Sequence, residues 1–141
     1  MSGTTKTERL AKLERLMKKA DLVYGRTPEG DSLILPFNSE QRGESIVWVA
    51  LSDDGELVGV RQLLPQITVP DDPTKQAPFL RKVLELNESL SVGKLLLAAD
   101  NTVGVGAEIE LDTATADLLK FAVYAVVEAA ADAVRQLRGA K

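Results

Sequence analysis

KVLELNESLSVGKLLL, residues 82–97, changes its hydrophobic rhythm halfway along. Up to Leu90 the apolar residues recur at three and four, as on one face of a helix; from Gly93 they run as in a strand. The switch makes this a helix-to-strand junction. An asparagine, Asn87, lies between the leucines just before it. Upstream, Phe79, Val83, Leu86 and Leu90 line one side of a helix expected over 78–90, with Pro78 suited to its first position. Leu80 and Leu84 widen that stripe beyond what one sheet contact requires. These six residues are the candidates for a partner or dimer surface, and they serve either the core alone or the core and a dimer contact. Downstream, GKLLLAADNT and VGVGAEIELD read as two strands with a turn near Asp100-Asn101.

The flanks extend the pattern. Thr5 and Glu8 fit a capping box ahead of an amphipathic helix over about 6–21, with Leu10, Leu13, Met17 and Ala20 on its apolar side. TPEGD, residues 27–31, breaks it. Three strand-like runs follow: SLILPF, ESIVWVAL and ELVGVRQLL. NSEQRG makes a polar connection between the first two, and Asp54-Gly55 supplies a tight hairpin between the second and third. Ile46, Trp48 and Ala50 share one face of the middle strand, and Val47, Val49 and Leu51 the other. Two apolar faces predict a central strand covered on both sides, with Trp48 in the core. PQITVPDDPTKQAP, rich in proline, reads as a connector. Asp112 or Thr113 can cap a last helix over about 114–138. Asp117, Lys120, Glu128, Asp132 and Arg135 make a thin polar stripe on it, and Ala122, Ala125, Ala129 and Ala133 allow close approach. This helix is expected to be buried on most of its circumference.

The order α-β-β-β-α-β-β-α predicts an α+β protein, one domain over 1–141, with a five-stranded antiparallel sheet and helices packed against it. Residues 1–5 and 139–141 are expected to be flexible.

Composition narrows the function. The 141 residues contain no cysteine and no histidine, so the commonest general base and metal ligand is absent and thiolate chemistry is closed. Neither a catalytic residue nor a cofactor or metal site is expected. A net charge of −4 has the wrong sign for tracking a phosphate backbone, so no nucleic-acid partner is expected. No long uncharged apolar run is present, so no membrane partner is expected, and the compartment is expected to be the cytoplasm. Gly93-Lys94 has no glycine five residues before it and no Ser or Thr after it, so it is a turn glycine and not a phosphate loop. Gly104 and Gly106, inside a strand pattern, mark a bulge or a close approach. Asp53-Asp54 and Asp71-Asp72 are read as turn chemistry, and Glu108 and Glu110 as a solvated sheet face.

The run FLRKVLELNESLSVGKLLLAAD, the hairpin from Lys94 to Leu111 and the Ala/Val-rich last helix resemble the type III secretion chaperone-like superfamily, and within it the YbjN-like bacterial proteins described as sensory transduction regulators. The matching positions are Leu84, Leu86, Asn87, Leu90 and Gly93; the hairpin turn departs in having Asp100-Asn101-Thr102 in place of an aspartate–glycine pair. Asn87 is read as structural, its amide bonding to nearby backbone groups and helping to end the helix. The resemblance implies a homodimeric, non-enzymatic, chaperone-like or adaptor protein that binds a segment of a partner protein and uses no cofactor. The alternative is a regulatory or small-ligand-binding domain with a pocket between sheet and helices.

Overall fold

The computed structural model describes residues 5–28, 30, 32–39, 43–90 and 92–138. Helix α1 (Lys6–Lys19) leads into strands β1 (Gly25–Arg26), β2 (Ser32–Ser39), β3 (Gly43–Leu51) and β4 (Leu57–Thr68). Helix α2 (Pro73–Ser89), strands β5 (Lys94–Leu97) and β6 (Thr102–Glu110) and helix α3 (Ala116–Arg138) complete the chain. The strands form one antiparallel sheet in the order β1-β2-β3-β4-β6-β5. Among the described residues the sheet therefore has six strands and not the expected five. The extra one, β1, pairs only Gly25 with Ile34 and Arg26 with Leu33, too short a stretch for any alternation to show in sequence. Of the expected flexible ends, 1–4 and 139–141 lie outside the described residues, as do parts of the 27–31 and 38–43 connections.

Alternation along the strands separates two faces. Leu33, Leu35, Val47, Val49, Val58, Val60, Val103 and Val105 are all buried, in one core with residues of the three helices. The opposite face is open. Trp48 is 40% exposed there and Ile46 42%, with Leu63 also exposed. This corrects both expectations for β3: it is covered on one side only, and Trp48 is not a core residue. The helices account for the buried face, and none among the described residues covers the other.

β4 runs on through Pro65 to Thr68, so the segment PQIT is strand and not connector. β3 pairs with β4 only over Trp48–Leu51, so Pro65 falls where β4 has no β3 partner and its missing N–H breaks no ladder bond there. Gly104 and Gly106 sit where neighbouring side chains lie over the strand. A Cβ at Gly104 would stand 2.9 Å from Leu63 Cδ2 and 3.0 Å from Leu96 Cδ1, and one at Gly106 2.9 Å from Leu96 Cδ2. They mark a close approach, one of the two readings their position allowed.

Thr5 Oγ1 accepts a bond from the Glu8 N–H at 3.1 Å and starts α1. Leu13 and Met17 bury its inner face. Arg9 ties the helix to the β3–β4 turn, donating to the Gly55 carbonyl at 3.1 Å and to Asp112 at 3.4 Å. Glu14 clamps β1, accepting from the Tyr24 hydroxyl at 3.0 Å and from the Arg26 guanidinium. The Arg26 hydrogen bond holds the Glu14 carboxyl below its ordinary pKa, against the opposing effect of burial. A depressed carboxylate stabilises the fold above its unfolded value, and that contribution is lost as pH falls through the folded one. Glu14→Gln is thus expected to lower Tm by a few degrees at neutral pH. The gap to wild type should close below the ordinary carboxylate range, as read by circular dichroism across pH.

α3 carries most of the helical core, burying Leu119, Ala122, Val123, Val126, Ala129, Ala130, Ala133, Val134 and Leu137. It is nevertheless less enclosed than expected, because Leu118, Phe121 and Tyr124 face outward.

Candidate protein-binding surfaces

α2 begins at Pro73, five residues before the expected start, with Asp72 as its cap: the carboxylate accepts from the Thr74 N–H at 3.0 Å and its hydroxyl at 2.9 Å. Proline in the first turn and aspartate before it are the ordinary start signals. Asp72 is therefore a helix cap and not merely a turn residue, and Pro78 lies inside the helix. The broad stripe divides in three. Phe79 and Val83 are core; Leu86 and Leu90 are half-buried against it; Leu80 and Leu84 point outward, 37% and 68% exposed. Leu80 and Leu84 stand one turn apart, on one ridge.

Asn87 and Gly93 join α2 to β5. The Asn87 amide spans the backbone of Leu95, Nδ2 donating to the carbonyl at 3.4 Å and Oδ1 accepting from the N–H at 2.5 Å. It occupies the place a neighbouring strand would take. The helix end is served by another residue, since Lys94 Nζ donates to the carbonyls of Asn87 at 3.0 Å and Leu90 at 3.2 Å. Gly93 has φ +81°, and a Cβ there would stand 3.4 Å from the Gly106 carbonyl oxygen. Turn geometry explains the glycine, and the lysine is engaged with backbone carbonyls.

A second apolar surface lies on α3, where Leu118, Phe121 and Tyr124 are exposed. Phe121 and Tyr124 lie between Asp117 and Glu128 at spacings of four, three and four, so they interrupt the polar stripe itself. That interleaving was the available sequence signal. A cleft of about 520 Å³ runs from Leu118 and Phe121 to Ile109, Leu96, Lys94 and Arg61. The acidic doublets gather no site: Asp54 accepts from Ser52 Oγ and the Glu56 N–H in the hairpin turn, and no group of three metal-ligating residues occurs among the described residues. No helix among them is long and apolar enough to cross a membrane.

The chain is similar in fold to several solved structures. The type III secretion chaperone SycH of Yersinia pestis, in complex with a stable fragment of YscM2, is 15% identical, with a TM-score of 0.55 over 88% of this chain and 98% of that one. The HopA1–SchA chaperone–effector complex gives 12% identity and a TM-score of 0.60 over 96% and 99%. YbjN of E. coli, described as a putative transcription regulator, gives 12% and 0.61 over 94% and 92%. No curated protein sequence matches. The YbjN family model, "Putative bacterial sensory transduction regulator", matches residues 9–139, and the chain belongs to that family, on a type III secretion chaperone-like fold.

Proposed function

We propose that this protein is a non-enzymatic, chaperone-like or adaptor domain that works in the cytoplasm as a homodimer and holds a segment of a partner protein. The observation that carries the reading is the outward pair Leu80 and Leu84, on a helix whose opposite side is already committed to the core. Exposed apolar ridges of this kind mark partner surfaces. The fold shared with SycH and SchA, both described in complexes with a partner protein, supports it. So does a sequence with neither histidine nor cysteine to run a reaction.

A dimer of ordinary strength buries about 800 Å² on each subunit and depends on a few central anchors. Leu80→Asp with Leu84→Asp sets unpaired charge in such a contact, which is costly once water is excluded. Light scattering is expected to give the mass of two chains for the wild type and of one for the double variant, with unchanged circular dichroism. A wild type that stays monomeric at high micromolar concentration overturns the dimer. A variant that unfolds assigns these leucines to the monomer core.

The second reading, a regulatory domain that senses a small ligand, draws on the family's description and on the cleft beside Phe121. It predicts that a protein-free cytoplasmic extract raises Tm, whereas the first predicts capture of a protein.

A further inference from the structure

Backbone groups point alternately to the two sides of a strand. The Ser52 N–H bonds to the Leu57 carbonyl at 2.9 Å, so the odd-numbered residues at the start of β4 aim at β3 and the even-numbered ones at β6. Val58 pairs with Ile109 and Val60 with Ala107, so in β6 the odd-numbered residues bond back to β4. The even-numbered ones aim the other way. Gly104 and Gly106 meet Leu96 and Lys94 of β5, but β5 goes no further. Glu108 and Glu110 therefore direct N–H and C=O to an edge with no strand beside it among the described residues.

Two other outer edges are blocked at particular points. Asn87 fills the edge of β5 at Leu95. On β2, Ile34 pairs with β1 and Pro36, next on that side, has no N–H to offer. The β6 edge at Glu108–Glu110 is thus open to an added strand, and its surroundings specify which. Glu108 and Glu110 project from the open face, exposed and without an ion pair among the described residues. The opposite side of the strand presents Ile109, with Leu118 and Phe121 beyond it in the cleft.

We propose that the β6 edge at Glu108–Glu110 takes an extended segment of a partner protein that alternates basic and apolar residues. The inference rests on the protein-binding reading above. An added strand lies about 4.8 Å from β6, so Glu108 and Glu110 are its cross-strand neighbours. Arg61 reaches over Gly106 from β4 and Lys94 pairs with Gly106 on β5, so both cations sit at the Gly106 end of the cleft, and Glu108 and Glu110 are the charges directly beside an added strand. A second copy adding antiparallel about Glu108 or Ile109 sets glutamate opposite glutamate, which disfavours self-pairing here.

The test uses two labelled peptides of equal length, one alternating valine with lysine and one alternating valine with glutamate. Their binding is read by fluorescence anisotropy. The lysine peptide is expected to bind roughly tenfold or more tightly than the glutamate peptide. The preference should reverse in the Glu108→Lys, Glu110→Lys variant. Glu108→Pro removes an outward N–H and should abolish binding; if it unfolds, the charge-reversed variant decides alone. Equal binding of the two peptides, or a preference unchanged by charge reversal, overturns the proposal. So does a mass that halves in the charge-reversed or proline variant, since a second copy would then hold the edge. If neither peptide binds while the wild type captures a protein, this inference fails and the protein-binding reading stands. If the lysine peptide binds a monomeric wild type, the dimer fails and this edge stands.

Discussion

Phe79→Ala is expected to lose about 3–5 kcal/mol of folding stability, the largest effect of any single truncation in α2. Phe79 is fully buried, and it joins α2 to the core that also holds the inner faces of α3 and the sheet. Removing its ring deletes transfer free energy and leaves a cavity that a helix pinned at both ends cannot collapse to fill. Asp72 caps one end and Asn87 with Lys94 holds the other. The control is Leu84→Ala on the same helix. Leu84 is 68% exposed, so its truncation should change monomer stability by less than about 0.5 kcal/mol. Urea denaturation of both variants, with the slope checked against wild type, separates them. A loss below about 1 kcal/mol for Phe79→Ala would show that α2 is not part of the cooperative core.

Asn87→Ala is expected to cost about 2 kcal/mol, because it orphans both the N–H and the C=O of Leu95. Asn87→Asp is the informative partner: its carboxylate can still accept from the Leu95 N–H but has nothing to donate to the carbonyl, so the loss should be smaller. Hydrogen exchange gives a local readout. The Leu95 amide should exchange much faster in the alanine variant and stay protected in the aspartate one. Unchanged protection in Asn87→Ala would show that the amide is held from elsewhere. Opening this edge also exposes a pairing site on β5, so the alanine variant should self-associate more readily in concentrated solution.

Local chemistry determined much of this protein from sequence. The period change at Gly93, the Thr5–Glu8 cap and the Asp54-Gly55 turn depend on residues a few positions apart, and the helices and main strands follow from them. The family was legible in Leu84, Asn87 and Gly93 for the same reason. The boundary of α2 is also set locally: Pro78 was the expected start, and the cap bonds at Asp72 begin the helix at Pro73 instead. Periodicity reports which residues share a face, but it does not report whether anything lies on that face. Trp48 and Val49 are equally apolar neighbours, yet one is open and the other buried, because the helices cover a single side of the sheet. Phe121 and Tyr124 remain outside on α3, and Leu80 and Leu84 on α2, by the same rule. Strand edges belong to the tertiary level as well. That Asn87 closes β5 while β6 stays open past Gly106 depends on where a strand happens to stop beside its neighbour, a relation between segments that no local pattern encodes.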